Sequence, residues 1–127
     1  MLQTALVFIG GGIGAASRHS VNVAAGRLIG LGFPWGTLIV NIAGSFAMGV
    51  IAGWFAFRSG VGLSQHARLF LTTGILGGFT TFSAFSLDAV LLWERGATGA
   101  AIAYVSGSVA VSIVALVAGL ALVRALG

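Results

Sequence analysis

The feature that most constrains this chain is a polar stretch, led by two glycines, in the middle of an apolar segment. Residues 69–93 are long and apolar enough to cross a bilayer, which takes roughly 20 residues. At their centre, residues 77–86 read GGFTTFSAFS, with four hydroxyls and a phenylalanine at every third position. Glycine reaches backbone angles that other residues avoid, and non-helical backbone in a membrane must be satisfied by protein, water or an ion. We therefore predict a helix broken at these glycines to form a binding site; the alternative is a kinked helix whose hydroxyls bond to the preceding turn.

The composition indicates an integral membrane protein. Hydrophobic residues make up 58% of the 127 residues and charged residues 6%, against about 45–50% and about 25% in soluble domains. The chain has no cysteine, which excludes disulfide and thiol chemistry. Its net charge of +4 comes from arginines scattered along the chain, so it lacks the basic patch of a nucleic-acid-binding protein.

We predict an all-α fold in which residues 1–127 form one domain of four transmembrane helices, with both termini on the same side. The helices are expected at about residues 4–31, 36–57, 69–93 and 97–123. Residues 58–68 read as a polar loop, and Gly96 as the end of the third helix. Gly49 and Gly53 have the GxxxG spacing of a helix contact.

The arginines do not favour one orientation of the chain in the membrane. Orientation follows the Lys/Arg bias of the short loops. Arg58, Arg68 and Arg124 fall on the side of the termini, and Arg18, Arg27 and Arg95 on the other. Three against three allows insertion both ways, so we predict an antiparallel, dual-topology homodimer around a two-fold axis.

Several polar side chains lie within the predicted helices, where polar groups are costly and often functional. Asn41 either hydrogen-bonds across to a neighbouring helix or binds a ligand. Arg18 either sits at the interface, with the first helix ending near Ser17, or lines a wet vestibule that concentrates anions. Asp88 is the only acid within the third helix. It either belongs to a functional site or pairs with an arginine or caps hydroxyls near the interface.

A hydroxyl stripe follows the fourth helix. Tyr104, Ser108 and Ser112 are spaced by four residues and so share one face. These serines either bond to the carbonyls of the preceding turn or line a narrow polar path. Together with Asn41 and the residues of 77–86, they supply neutral donors and phenylalanine ring edges, which carry positive partial charge. Such a lining suits a small anion better than a cation.

We find no catalytic arrangement in the sequence. Paired carboxylates, HExxH and a phosphate loop are all missing, and no Ser-His-Asp set has a plausible placement. The chain is therefore not expected to be an enzyme. The glycines at 10–14 lie in a predicted membrane helix and do not form a dinucleotide loop.

Two motifs resemble those of a known family. Residues 36–44, GTLIVNIAG, and 77–86, GGFTTFSAFS, are similar to the two signatures of the Fluc/CrcB fluoride channels. Arg18 and the Tyr104 stripe also match, and the resemblance covers the whole chain. It implies a multi-pass protein of the inner (plasma) membrane that exports fluoride passively as an antiparallel homodimer with two pores.

The resemblance also implies roles for individual residues. A structural Na⁺ at the dimer centre would be held by the backbone carbonyls of Gly77 and Thr80 from both subunits. Phe82 of one subunit and Phe85 of the other would line each pore, and Asn41 would donate to fluoride. The rest of the expected anion pathway comprises Thr81, Ser83, Tyr104, Ser108, Ser112 and Arg18.

The sequence departs from the family at three of these positions. Asp88 stands where the family commonly has Glu, Ala84 replaces a frequent hydroxyl, and Leu116 replaces a residue that is often polar. The sequence leaves two other functions open. A dual-topology multidrug–proton antiporter would need an acid deep in the helices, for which Asp88 is the sole candidate. A structural subunit of a larger membrane complex would show no flux by itself.

Overall fold

The computed structural model describes residues 1–57 and 64–126, and within them all regular structure is helical. The first two helices are α1 (Leu2–Leu28) and α2 (Trp35–Phe57). A segmented third helix follows, composed of α3 (Ser64–Leu69), a π-helix (Phe70–Leu76), α4 (Gly77–Phe79) and α5 (Phe82–Glu94), and the last helix is α6 (Thr98–Leu126). Residues 64–68 are thus helical rather than loop, and the rest of the predicted loop lies outside the described residues.

Three helical stretches are long and apolar enough to cross a membrane: Trp35–Ala56, Gln65–Glu94 and Thr98–Leu126. The chain is therefore a multi-pass membrane protein. At 27 residues α1 has the length to cross, since a helix rises about 1.5 Å per residue. It is less apolar than these three stretches because it carries several glycines together with Arg18, His19 and Asn22. Its crossing of the membrane stays a prediction.

The third helix is broken, as predicted, but not at the glycines. Gly77 and Gly78 belong to α4, and Gly77 has helical angles, with φ −62° and ψ −38°. The chain leaves the helix at Thr80 (φ −90°, ψ 157°) and Thr81 (φ −154°, ψ 128°), and α5 begins at Phe82. β-Branched side chains favour extended backbone, so two consecutive threonines suit this position. The predicted break at the glycines is wrong by a few residues, because both glycines are helical and Gly78 instead packs against Gly11 of α1.

Glycines bring α1 into backbone contact with the third helix. A Cβ built on Gly10 would lie 2.9 Å from the Cα of Gly74. One on Gly14 would meet the carbonyl oxygen of Ile75, and one on Gly78 that of Gly11. Because these atoms are backbone, a side chain at any of the three positions would push the helices apart.

Gly14→Ala is expected to destabilise the protein by about 2 kcal/mol, since overpacking a fixed contact typically costs about 1–3 kcal/mol. Gly12→Ala is the matched control, because a Cβ there would meet nothing within 4 Å. Thermal unfolding in detergent should show a lower Tm for Gly14→Ala and no loss for Gly12→Ala. Equal Tm values would contradict the packing described.

α2 packs most extensively against α6, and the two run in the same direction. A Cβ on Gly49 would meet the carbonyl of Leu116, and one on Gly53 would lie 3.2 Å from the Cβ of Val123. Gly119 of α6 in turn faces the backbone of Phe46 and Val50. The predicted GxxxG contact face is confirmed.

The helices leave two distinct ends. The α3 end, as we refer to it, holds the start of α1, α3 and the ends of α2 and α6. The turn end holds residues 29–34 and the α5–α6 connection. Gly96 terminates α5 there with a left-handed φ of +85°, as predicted, and Gly30 follows α1 with φ +120°.

Arg18 lies at neither end. Its Nε donates a hydrogen bond of 3.1 Å to the carbonyl of Gly78, two residues before the break. α1 continues to Leu28, so the predicted alternative of a helix ending near Ser17 is wrong. If Arg18 is counted for neither end, the predicted arginine balance of three against three becomes three against two.

Candidate functional site

The break lies beside a cavity of about 300 Å³ between α2, α6 and the third helix, which we term the central cavity. It brings together residues that are far apart in sequence. The lining consists of Asn41, Gly44, Ser45, Met48, Leu76, Thr80, Thr81, Phe82, Phe85, Ser108, Val109, Ser112 and Leu116. Neither acid of the chain is in this lining. Its polar atoms are neutral amide and hydroxyl groups.

Asn41 holds the break in place through two hydrogen bonds to the backbone of Thr81. Its Nδ2 donates to the Thr81 carbonyl at 3.1 Å, and its Oδ1 accepts from the Thr81 N–H at 3.0 Å. These bonds agree with one of the two alternatives predicted for Asn41, a hydrogen bond to a neighbouring helix. An amide nitrogen carries two hydrogens, so a second N–H remains on Asn41, which also lines the central cavity.

Thr81 starts α5 at the edge of the central cavity. Its Oγ1 accepts a hydrogen bond of 3.2 Å from the N–H of Ala84, as an N-capping residue does. The N-terminus of a helix carries partial positive charge. The first residue of α5, Phe82, also lines the cavity. The break therefore brings the positive N-terminus of α5 to the cavity, next to Thr80, where the preceding helical segment ends.

Ser108 and Ser112 contribute to the lining of the central cavity, and both have unpaired hydroxyls. Both Oγ atoms are buried, and neither has a hydrogen-bond partner among the described residues. Elsewhere in the chain such hydroxyls bond to the carbonyl four residues back: Ser20 to Ala16 at 3.1 Å and Ser86 to Phe82 at 2.9 Å. Unpaired buried hydroxyls are rare because burial without a hydrogen bond costs about 1–3 kcal/mol. The polar-path alternative for these serines is therefore favoured over back-bonding.

Replacing both serines with alanine should separate stability from transport. Ser108→Ala/Ser112→Ala removes hydroxyls that bond to no group in the described part of the chain, so the Tm in detergent is expected to stay within a few degrees or rise. Efflux from liposomes of fluoride, the ion that the resemblance implies, should fall about tenfold, since each lost donor is worth about 0.5–1.5 kcal/mol. Ser20→Ala, which loses a bonded hydroxyl outside the cavity, should leave efflux unchanged. Unaltered efflux in the double variant would remove these serines from the path.

Phe82 and Phe85 lie next to each other on α5 and both line the central cavity. Their ring centroids are 5.5 Å apart, with 45° between the planes. Phe85 is only 8% exposed, whereas Phe82 is 76% exposed in the single chain. Phe85 also packs on Tyr104, with centroids 5.1 Å apart. The ring of Phe85 is therefore held by contacts within this chain, whereas the ring of Phe82 is exposed and can contact another molecule.

Tyr104 lies under Phe85, toward the turn end, and is 1% exposed. Its hydroxyl donates to Oδ2 of Asp88 at 3.3 Å. Thr37 and Asp88 line a second cavity of about 380 Å³ at the turn end, together with Arg95. Asp88 thus pairs with a tyrosine, and it lies on the far side of Tyr104 from the central cavity.

The break deprives the carbonyls of Gly77 and Thr80, among others, of their helical donors. In a continuous helix the Gly77 carbonyl would accept from the Thr81 N–H, which donates instead to Asn41. The Thr80 carbonyl would accept from the Ala84 N–H, which donates instead to the Thr81 hydroxyl. Carbonyl oxygens are hard ligands that suit a cation. Among the described residues no cluster of His, Cys, Asp and Glu could hold a metal ion.

The central cavity thus unites seven of the predicted residues: Asn41, Thr80, Thr81, Phe82, Phe85, Ser108 and Ser112. Five others lie outside its lining: Arg18, Gly77, Ser83, Tyr104 and Asp88. Ser83 is exposed, with its Oγ 3.3 Å from that of Thr81. Sequence reasoning missed Ser45 and Met48, although four- and seven-residue spacing from Asn41 places both on its face of α2.

Comparison with known proteins agrees with this geometry. Residues 5–120 match the sequence profile of the CrcB-like protein, Camphor Resistance (CrcB) family. The chain belongs to this family. A protein of Rhodopseudomonas palustris named fluoride-specific ion channel FluC is 62% identical over 121 residues, which cover 95% of this chain and 96% of that protein. A protein of the same name from Methylobacterium nodulans is 61% identical over 127 residues and the full length of both chains.

Proposed function

We propose that this protein is a passive, fluoride-selective channel that lets cytoplasmic fluoride leave the cell and so relieves its toxicity. The observation that carries the proposal is that Ser108 and Ser112, whose hydroxyls are unpaired among the described residues, line the same central cavity as Asn41. Relatives more than half identical to this chain are named fluoride-specific ion channels. The neutral donor lining suits a small, strongly hydrated anion, because amide N–H and O–H groups can replace its water.

The ring edges of Phe82 and Phe85 supply the weak anion sites that conduction needs. Donors that bind an anion too strongly would trap it, so conduction needs weaker sites between stronger ones. The edges of Phe82 and Phe85 carry positive partial charge and offer such weak stabilisation. Ser83 and Arg18 would contribute at the approaches to the cavity, where Arg18 attracts anions, and Tyr104 would continue the polar path toward the turn end.

An antiparallel homodimer with two pores is part of this proposal. The extended backbone at Thr80 and Thr81 is costly in lipid unless protein covers it. A second copy would cover it, along with the exposed ring of Phe82. The near balance of arginines between the two ends supports insertion both ways.

We further propose a structural Na⁺ at the centre of that dimer. The carbonyls of Gly77 and Thr80, whose helical donors are bonded elsewhere, would hold it together with the same atoms of the second copy. The residues fit the ion, because backbone carbonyl oxygens are among the oxygen ligands that hard cations bind. The ion would neutralise the carbonyl dipoles at the break, and Arg18 already does this for Gly78.

The antiporter alternative has less support. Its only candidate proton carrier, Asp88, is bonded to Tyr104 and lies outside the central cavity. The names of the relatives point to an ion channel rather than an enzyme or an exchanger.

We propose the inner (plasma) membrane as the location of the channel.

Uncoupled conduction can be tested with liposomes that contain potassium fluoride and the purified protein. A fluoride channel moves net charge, so release should stop early and resume when valinomycin lets potassium follow. A proton-coupled exchanger would instead release its substrate in response to a pH gradient without valinomycin. Full fluoride release at the same rate without valinomycin would contradict the proposal.

A further inference from the structure

A third cavity, of about 570 Å³, lies at the α3 end between α2 and the first half of the third helix, and we term it the basic cavity. Its polar lining comes from the third helix. The lining consists of Met48, Ala52, Phe55, Ala56, Gln65, Arg68, Leu69, Thr72 and Thr73. Thr72 donates its hydroxyl to the Arg68 carbonyl at 2.7 Å, which leaves Arg68, Gln65 and Thr73 as the side chains able to donate to a ligand.

The basic cavity adjoins the central cavity at one side chain. Met48 lines both cavities. It lies one helical turn beyond Gly44 and Ser45, which face the central cavity, and one turn before Ala52, which faces the basic cavity. An ion passing from Arg68 to Ser112 by this route must therefore pass the Met48 side chain, which is apolar and flexible.

No acidic side chain of the sequence lies at the same end of the chain as Arg68. Both acids, Asp88 and Glu94, are in α5, beyond the break and toward the turn end. The interaction between charges weakens with distance and is screened over about 10 Å at 0.1 M salt. Arg68 therefore gives the basic cavity a positive field, of the kind that concentrates anions at the mouth of a path.

We propose that the basic cavity is an anion-binding entry chamber, in which Arg68 gathers small inorganic anions and from which they pass Met48 into the central cavity. The inference rests on the proposed function, because the basic cavity would be the entrance to the proposed fluoride path. It assigns to Arg68, Gln65 and Thr73 a transient site for hydrated anions. It also makes Met48 the constriction between that site and the donors of the central cavity.

Because the chain has no native cysteine, a single introduced cysteine can carry either a positive or a negative group at position 68. Purified Arg68→Cys is modified in detergent with methanethiosulfonate reagents that attach either an ammonium or a sulfonate group, and then reconstituted in liposomes at low salt. Unmodified Arg68→Cys should release fluoride roughly three- to tenfold more slowly than wild type. This loss is near the low end of the gain in association rate that charge-lined clefts provide. The ammonium adduct should restore release, and the sulfonate adduct should slow it further. Both differences should shrink at high salt.

Arg124→Cys is the matched control, because it lies at the same end on α6 and outside the lining of the basic cavity. Its two adducts should release fluoride at similar rates. The inference is overturned if the two Arg68→Cys adducts behave alike, or if Arg124→Cys shows the same dependence on charge. Wild-type release in the same experiment tests the proposed function separately, since it does not depend on Arg68 lying on the path.

Met48→Phe adds a second readout. The larger, stiffer side chain should slow release at least about threefold, whereas Met48→Leu, which roughly conserves volume, should release at close to the wild-type rate. Equal rates for Met48→Phe and wild type would exclude Met48 as the constriction.

Discussion

Asn41→Asp is expected to reduce fluoride efflux from liposomes at least about a hundredfold. The carboxylate would keep the hydrogen bond from the Thr81 N–H but lose the one to the Thr81 carbonyl. It would also place a negative charge on the lining of the central cavity. Two like charges about 4 Å apart repel by about 4 kcal/mol at an effective dielectric constant of about 20. A loss of about 1.4 kcal/mol already corresponds to tenfold.

Asn41→Ala separates the added charge from the lost hydrogen bonds. It removes both bonds to Thr81 without adding a charge, so its loss of efflux is expected to be about tenfold, with a lower Tm in detergent. Gln3→Glu makes the same chemical change near the start of α1, outside the cavity, and should leave efflux unaltered. If Asn41→Asp and Asn41→Ala lose efflux equally, the permeating ion does not pass close to Asn41.

Phe82→Ile and Phe85→Ile are each expected to slow fluoride efflux at least about tenfold. Isoleucine keeps the position apolar but has no ring edge, so the weak stabilisation of an anion between the stronger donors is lost. Phe85 is buried against Tyr104, so its replacement should also lower the Tm by a few degrees. Phe82 is exposed in the single chain, and its replacement should affect transport with little change in Tm.

Phe8→Ile controls for the change in side chain, because Phe8 lies in α1, is 81% exposed and does not line the central cavity. Its efflux should match wild type. Size-exclusion chromatography should give the same elution for all three variants, which excludes loss of assembly as the cause. Wild-type efflux from both Phe82→Ile and Phe85→Ile would contradict a path between the rings.

Much of the fold was predictable because a membrane imposes simple rules. Long apolar stretches between charged residues predict helices, and Gly49, Gly53 and Gly96 were correctly interpreted as a contact face and a helix end. The site residues were found because polar side chains are unusual in such helices. Asn41, Ser108 and Ser112 stood out for this reason, and the structure brings them to one cavity.

The remaining features depend on partners that a sequence does not identify. Glycine permits both a break and a close contact, and only the position of α1 against Gly74 and Gly78 shows that packing decides here. The break at Thr80 and Thr81 depends on Asn41, which is about 40 residues away and accepts the N–H that a continuous helix would use. The bond from Arg18 to the Gly78 carbonyl depends on the register of two helices in the same way.

The most direct test of the account follows both halides in one experiment. Liposomes containing the purified protein are loaded with equal concentrations of fluoride and chloride, and release is started with valinomycin while two ion-selective electrodes record both anions. The account predicts rapid fluoride release with chloride retained, because chloride is larger and less able to use closely spaced donors. Equal release of the two ions, or no fluoride release above protein-free liposomes, would contradict it.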